Sequence, residues 1–183
     1  MNKIIIVGSA GSPNNAVELV NINKKLNVPV IINIHFTGKF MESFAEHIRN
    51  TTHQNVMIVN NITELSQGIF LPDGGKSLIF ISKDKVKSVE DKSTITHPSI
   101  NTLFRSLIKY ASSNFLIFVL SGLGNDGQQY IEQLQNKNVK FFIQKDANFN
   151  YLPNSYIRKN KNFTLLTLEK MKNIIVSLNN DKK

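Results

Sequence analysis

Cysteine is absent from the 183-residue sequence, and so is any long run of uncharged apolar residues. Without cysteine the chain can form no disulfide, no thiolate zinc site and no cysteine nucleophile, and we expect a reducing, cytoplasmic setting. Without about 20 consecutive apolar residues, no segment is predicted to cross a bilayer. The first residues, MNKIIIVGSAG, carry one lysine and a short apolar run followed by a glycine turn. They predict a first strand and not a signal peptide.

Acidic residues are few relative to basic ones: 13 Asp and Glu stand against 22 Lys and Arg, which gives a formal net charge of +9. A basic chain can bind nucleic acid, an anionic membrane surface or an acidic protein. The basic residues are spread along the chain, with modest clusters at residues 83–92, 158–161 and 181–183. No aromatic residues alternate with Arg as in a nucleic-acid platform. We expect a solvated lysine surface, no nucleic-acid partner and no membrane insertion.

Short apolar stretches alternate with amphipathic ones along the chain. The pattern predicts helices over residues 14–25, 40–50 and 128–136, one opening at Pro98 and Ser99, and one near the C-terminus. Strands are predicted over residues 3–7, 28–34, 56–59, 114–120, 139–143 and 163–166. The turn residues 71–75 (LPDGG) predict a β-hairpin between residues 68–70 and 77–81. Together these elements predict a single α/β domain over residues 1–183. We expect a doubly wound, mostly parallel sheet covered on both faces, Rossmann-like in its three layers, with one hairpin insertion.

Ligands of parallel α/β sheets bind at the carboxyl ends of the strands, which directs attention to three loops. The first, residues 8–13 (GSAGSP), carries Ser9 on a tight glycine turn between strand and helix. A serine there can act as a nucleophile, with free backbone N–H groups nearby to hold an oxyanion. A plain turn with a serine helix cap is the alternative.

The second loop, residues 35–39, begins with His35 directly after a strand that should be buried. Of the four histidines, His35 alone is placed by topology at the rim of the sheet, where it can act as a base or serve a structural role. No histidine spacing resembles a zinc site, so we expect no metal and no other cofactor.

The third loop, residues 122–127 (GLGNDG), formally matches the dinucleotide-binding pattern GxGxxG, and Asp146 lies about where a ribose-binding acid would be. Nucleotide binding is therefore a competing hypothesis. Against it, Asp126 would bring a carboxylate into a loop that cradles phosphate. The same carboxylate suits the task of orienting a histidine. The three loops thus supply a candidate nucleophile, base and orienting acid.

The loops and their surroundings resemble the catalytic domain of the CheB methylesterases of bacterial chemotaxis over nearly the whole chain. The family's GxSxGG loop is similar to residues 8–13, its FxxSFAE segment to residues 40–46 and its PGG-like turn to residues 72–76. Its HxPSxxxLF helix start is similar to residues 97–104, its GMGxDG loop to residues 122–127 and its QxEA segment to residues 144–147.

The resemblance implies that Ser9 is the nucleophile, His35 the general base and then acid, and Asp126 the residue that fixes the imidazole. It also implies an oxyanion hole formed by the backbone N–H groups of Ala10 and Leu123. The implied substrate is a methylated glutamate on the cytoplasmic helices of methyl-accepting chemoreceptors, and the family also deamidates receptor glutamines. Ester attack gives an acyl-enzyme and methanol, and water then releases glutamate.

Several departures from the family pattern leave a second hypothesis open. In an ungapped register from Gly8, Ala10 would replace the serine, whereas an insertion before the helix keeps Ser9 in place. Ile34, Phe36 and Thr37 also depart from the family's QHMP, and Leu123 replaces a methionine. The family's N-terminal receiver domain is absent from the sequence, so we expect constitutive activity or a regulator acting in trans. The alternative is an inactive member of the fold that serves as a binding or regulatory module.

Overall fold

The computed structural model describes residues 1–36 and 38–180. Thr37 of the second loop and the basic tail at residues 181–183 lie outside the described residues. The strands, in chain order, are β1 (Lys3–Gly8), β2 (Pro29–Ile34), β3 (Val56–Val59), β4 (Thr63–Glu64), β5 (Gly68–Pro72), β6 (Ser77–Ser82), β7 (Lys85–Val89), β8 (Phe115–Val119), β9 (Lys140–Gln144) and β10 (Phe163–Leu166). The helices are α1 (Pro13–Val20), α2 (Met41–Thr52), α3 (Ile100–Leu107), α4 (Ile131–Gln135), α5 (Tyr151–Lys159) and α6 (Leu168–Asn180), with 3-10 turns at Gly38–Phe40 and Gln128–Tyr130.

Seven strands form one parallel sheet in the order β10-β9-β8-β1-β2-β5-β3. Strand β1 lies at its centre, where Ile5 is opposite Ile117 of β8 and Ile31 of β2. Every residue of β1, β2 and β8 is buried, because helices cover both faces of the sheet. The predicted fold class, a doubly wound and mostly parallel α/β sheet, is confirmed.

Two apolar cores lie on opposite faces of the sheet. Helices α1, α2 and α6 pack on one face, against Ile4, Ile6 and their neighbours. Helices α3, α4 and α5 pack on the other face, against Ile5 and Val7, together with side chains of the small sheet. Successive side chains of β1 thus pack in different cores, because alternate side chains of a strand point to opposite faces of the sheet.

The predicted position of the hairpin is wrong. Strand β5 pairs in parallel with β2 and β3, whereas β6 pairs antiparallel with β7 in a separate sheet of order β4-β7-β6. The chain therefore leaves the main sheet at the turn after β5 instead of folding back on it. All five residues of β5 are buried, as in an interior strand, and this burial explains why it joins the parallel sheet.

Two helices also differ from the sequence prediction. Helix α1 ends at Val20, five residues before the predicted end, because Leu26 and Val28 turn inward and enter the core beneath it. Helix α5 is not predicted by the sequence pattern, since Pro153 lies within it. Proline is tolerated in the first helical turn, where its missing N–H would have no partner. No helix of the described residues is both long and apolar enough to span a membrane.

Candidate active site

The three loops meet at the carboxyl edge of adjacent strands β8, β1 and β2. The backbone N–H of His35 donates to the Gly8 carbonyl at 3.1 Å, and that of Ser9 donates to the Ser121 carbonyl at 2.9 Å. A Cβ built on Gly122 would lie 2.8 Å from the Ser9 Cβ, so only glycine allows the first and third loops to approach this closely. Parallel pairing therefore brings distant parts of the chain into one site.

His35 and Asp126 form a direct pair in this site. The Nε2 atom of His35 lies 2.7 Å from Oδ2 of Asp126, and each side chain is 16% exposed. The predicted partnership of these two residues is thus present as a hydrogen bond. Because Asp126 accepts, Nε2 carries the proton and Nδ1 is the nitrogen left to act as a base.

Asp126 is held by the beginning of helix α3. The backbone N–H of Ile100 donates to Oδ2 at 2.7 Å, and that of Asn101 donates to Oδ1 at 2.8 Å. The helix begins there because Ser99 is its N-cap and accepts from the Thr102 N–H at 3.1 Å. The positive end of the helix dipole faces the carboxylate, an arrangement that stabilises negative charge. Sequence reasoning missed this support. Almost every residue has a backbone N–H group, so the residue types do not show which of these groups donate to Asp126.

Ser9 is not joined to the pair by a hydrogen bond. Its hydroxyl makes no hydrogen bond to any other described residue, and its side chain is half-buried. By contrast, Ser12 is buried and donates to the Ser9 carbonyl at 2.5 Å, and buried Ser121 donates to the Ala10 carbonyl at 2.8 Å. Among Ser9, Ser12 and Ser121, the serines in or directly before these two loops, Ser9 alone has an uncommitted and accessible hydroxyl.

The backbone N–H groups of Ala10 and Leu123 donate to no acceptor within residues 1–36 and 38–180. Both belong to the loops that meet at Ser9. Two N–H groups without protein acceptors, placed in the loops around a free hydroxyl, are available to donate hydrogen bonds to an oxyanion. This availability fits the role that the family resemblance implies for them.

An open cleft of about 450 Å³ begins at His35. Its wall is formed by the loop that follows β2, the turn that follows β5 and the segment before α3, and the lining residues are His35, Phe36, Gly38, Gly75, Ile95, Thr96 and His97. Another cavity of about 370 Å³ lies at the opposite edge of the sheet, where Lys140 and Phe163 begin β9 and β10, and so takes no part in this site.

The nucleotide-binding hypothesis is not favoured by these contacts. Asp146, the candidate ribose ligand, accepts instead from the Leu168 N–H at the start of α6, at 3.0 Å. Asp126 inside the glycine loop is engaged with His35, and the loop leads into a 3-10 turn and the short helix α4. Within the described part of the chain, no cluster of three or more His, Asp or Glu side chains could hold a metal ion.

Residues 4–175 match the sequence profile of the family described as CheB methylesterase. The chain belongs to this family. The resemblance predicted from the sequence motifs is thereby confirmed, and the family match covers all three loops of the site.

Individual relatives agree with the family assignment. The chain is 31% identical over 150 residues to a protein-glutamate methylesterase/protein-glutamine glutaminase of Borreliella burgdorferi, covering 79% of this chain and 39% of that protein. It is 25% identical over 152 residues to a similarly named protein of Dechloromonas aromatica, covering 80% of this chain and 42% of that protein. The chain thus spans about two fifths of the length of these curated relatives.

A solved structure shows the same fold. The crystal structure of the Thermotoga maritima CheB methylesterase catalytic domain superimposes with a TM-score of 0.82 at 19% identity, covering 97% of this chain and 98% of that chain. At this identity the match establishes the architecture of the sheet and helices.

Proposed function

We propose that the protein is a protein-glutamate methylesterase that acts through Ser9, His35 and Asp126. The single observation that carries the proposal is the His35–Asp126 pair, held at 2.7 Å at the edge of the sheet to which the first loop brings Ser9 and its uncommitted hydroxyl. The names of the relatives, which describe methylesterases and glutaminases, support the same reaction.

The reaction follows from the roles of these groups. Ser9 Oγ attacks the ester carbonyl of a methylated glutamate while Nδ1 of His35 takes the hydroxyl proton. The backbone N–H groups of Ala10 and Leu123 receive the oxyanion. The proton returns to the leaving oxygen, methanol departs, and an acyl-enzyme remains. Water activated by His35 then hydrolyses this ester and releases glutamate, and a glutamine side chain would lose ammonia by the same route.

The substrate we propose is a glutamate methyl ester on the cytoplasmic helices of methyl-accepting chemoreceptors, which would place the protein in the cytoplasm. The open cleft suits a side chain presented by a large protein. Large apolar side chains are exposed before α3 and in the segments that follow β2, β8 and β9 at the carboxyl end of the sheet, namely Phe40, Ile95, Leu123, Phe149 and Tyr151. Ile95, which lines the cleft, is 99% exposed and would contact a protein surface brought to the site.

Methanol release from receptor methylated on glutamate tests the proposal. The wild type should release methanol, and Ser9→Ala should lower the rate by at least about 10³-fold, because the nucleophile is lost. Ser43→Ala is the matched control, since Ser43 is an exposed serine on α2, and it should keep wild-type activity.

The register of the first loop has its own test. Ser9→Ala combined with Ala10→Ser leaves the number of serines in the loop unchanged but moves the first of them by one residue. If Ser9 is the nucleophile, the double variant stays inactive, and a serine-directed fluorophosphonate labels the wild type at Ser9. Recovery of activity in the double variant would instead assign the position to residue 10. No methanol release by the wild type would favour the inactive binding module, for which the comparisons give no support.

A further inference from the structure

The peptide group between Asp126 and Gly127 is held at both of its polar ends. The Tyr156 hydroxyl donates to the Asp126 carbonyl at 2.7 Å, and the Gly127 N–H donates to Oδ1 of Asn101 at 2.9 Å. Tyr156 comes from α5 and Asn101 from α3, so two helices fix one peptide plane. Because this peptide group is fixed, the Asp126 backbone has little freedom to move, and the position of the Asp126 side chain is restricted as well.

Tyr156 is built tightly into this position. The side chain is fully buried, and its ring meets the Phe104 ring edge-on with centroids 6.2 Å apart. Gly127 has φ +89°, and a Cβ there would collide with the Tyr156 hydroxyl and lie 2.6 Å from Cγ2 of Ile100. Burial, and secondarily the charge of Asp126, raise the pKa of Tyr156 well above its ordinary value, so the phenol keeps its proton and remains a donor.

We propose that Tyr156 and Asn101 are positioning residues that clamp the Asp126–Gly127 peptide group and thereby hold the Asp126 carboxylate against His35. Neither side chain lines the cleft that begins at His35. Both act through Asp126, whose Oδ2 must meet the Ile100 N–H and His35 Nε2 at 2.7 Å each. The effect on catalysis rests on the proposed methylesterase activity, but the effect on the His35–Asp126 pair does not.

The kinetic test compares two tyrosines that make the same kind of bond. Tyr156→Phe removes the bond to the Asp126 carbonyl. Tyr110→Phe removes a bond of 2.6 Å to the Ile81 carbonyl, away from the site, and is the matched control. Tyr156→Phe should lower kcat about tenfold with KM within about twofold, because a misplaced carboxylate affects the transition state more than substrate binding. Tyr110→Phe should leave kcat within about twofold of wild type. An unchanged kcat in Tyr156→Phe, or an equal loss in both variants, would overturn the proposal.

Asn101→Ala is the second variant, and it removes the other half of the clamp while leaving the Asn101 backbone N–H in place. It should also lower kcat several-fold. The double variant should lose less than the product of the two single losses, because both side chains hold the same peptide group. Strict multiplication of the two losses would contradict a shared clamp.

A spectroscopic readout separates this proposal from the proposed function. The His35 Nε2–H proton, hydrogen-bonded to Asp126, should give a downfield NMR resonance in the wild type and Tyr110→Phe that weakens or shifts upfield in Tyr156→Phe and Asn101→Ala. If this pattern is seen but the wild type releases no methanol, the clamp stands and the proposed activity fails. If methanol is released and the resonance is the same in all four proteins, the activity stands and the clamp is refuted.

Discussion

At the scale of single residues, Asp91 shows how one carboxylate anchors the segment that borders the cleft. Its Oδ2 accepts from the Thr102 hydroxyl at 2.5 Å, and its Oδ1 accepts from the Ser93 N–H at 3.1 Å. Its carbonyl accepts from Nε2 of His97 at 2.6 Å, and His97 lines the cleft beside His35. Burial alone would raise the pKa of Asp91, but hydrogen bonds from Ser93 and Thr102 outweigh it and lower the pKa from 3.8 to about 2.

The lowered pKa of Asp91 predicts an acid-sensitive contribution to stability. Because the folded chain prefers the charged carboxylate, this contribution is present above pH 3.8 and is lost as the pH falls toward about 2. Asp91→Asn should therefore reduce the fall in the free energy of unfolding over this interval, which urea denaturation between about pH 2 and 6 would measure. Thr102→Val, which removes one of the hydrogen bonds, should give a smaller reduction. An acid dependence identical to wild type in both variants would contradict this prediction.

At the scale of elements, the turn after β5 packs against the segment after β2. A Cβ on Gly38 would lie 2.6 Å from the Gly75 backbone nitrogen, and a Cβ on Gly74 would collide with the Gly38 carbonyl oxygen. The two backbones are therefore in contact at the wall of the cleft that begins at His35. This contact explains why residue 74 is glycine, in a turn that does not close a hairpin.

Two neighbouring glycines allow a paired test of this contact. Gly74→Ala should push the two segments apart and lower the rate of methanol release about ten- to a hundredfold, since small displacements of catalytic groups have effects of that order. Gly75 has φ +77°, but a Cβ added there would meet no atom within 4 Å. Gly75→Ala should thus cost about 1 kcal/mol of backbone strain and leave the rate nearly unchanged. Equal rates in the two variants would show that the contact does not position the site.

At the scale of the whole molecule, stability depends on a sheet that packs against a separate apolar core on each of its two faces. Ile5, in the central strand, is fully buried between β2 and β8 and faces the core formed with α3, α4 and α5. Truncation of the Ile5 side chain would leave a cavity, because the hydrogen-bonded neighbouring strands cannot move to fill the space. Ile62, by contrast, lies at the surface and is 60% exposed.

Ile5→Ala should lower the free energy of unfolding by about 2–5 kcal/mol, the range typical of buried large-to-small substitutions. Ile62→Ala should change it by less than about 0.5 kcal/mol, because the side chain already lies largely in solvent. Urea denaturation of both variants measures the difference. A loss in Ile5→Ala no larger than in Ile62→Ala would mean that β1 is not the centre of the folded core.

The parallel sheet, the family and the partnership of His35 with Asp126 could all be predicted from the amino-acid sequence. These features depend on local information: apolar runs of strand length, amphipathic helices, and polar residues placed directly after strands whose ends share one edge. Strands β3 and β10 were predicted with their observed bounds for the same reason.

The pairing of β5 and β6, the position of α5 and the groups that hold Asp126 depend instead on how the chain packs in three dimensions. Strand β5 joins the main sheet because both helix layers bury it, and no turn signal encodes that burial. The donors to Asp126 come from residues 25 and 26 positions away, and the Tyr156 bond spans 30. Hydrogen bonds over such separations follow from the packing of helices on the sheet, so the free hydroxyl of Ser9 and the clamp on Asp126 emerge only once the chain is folded.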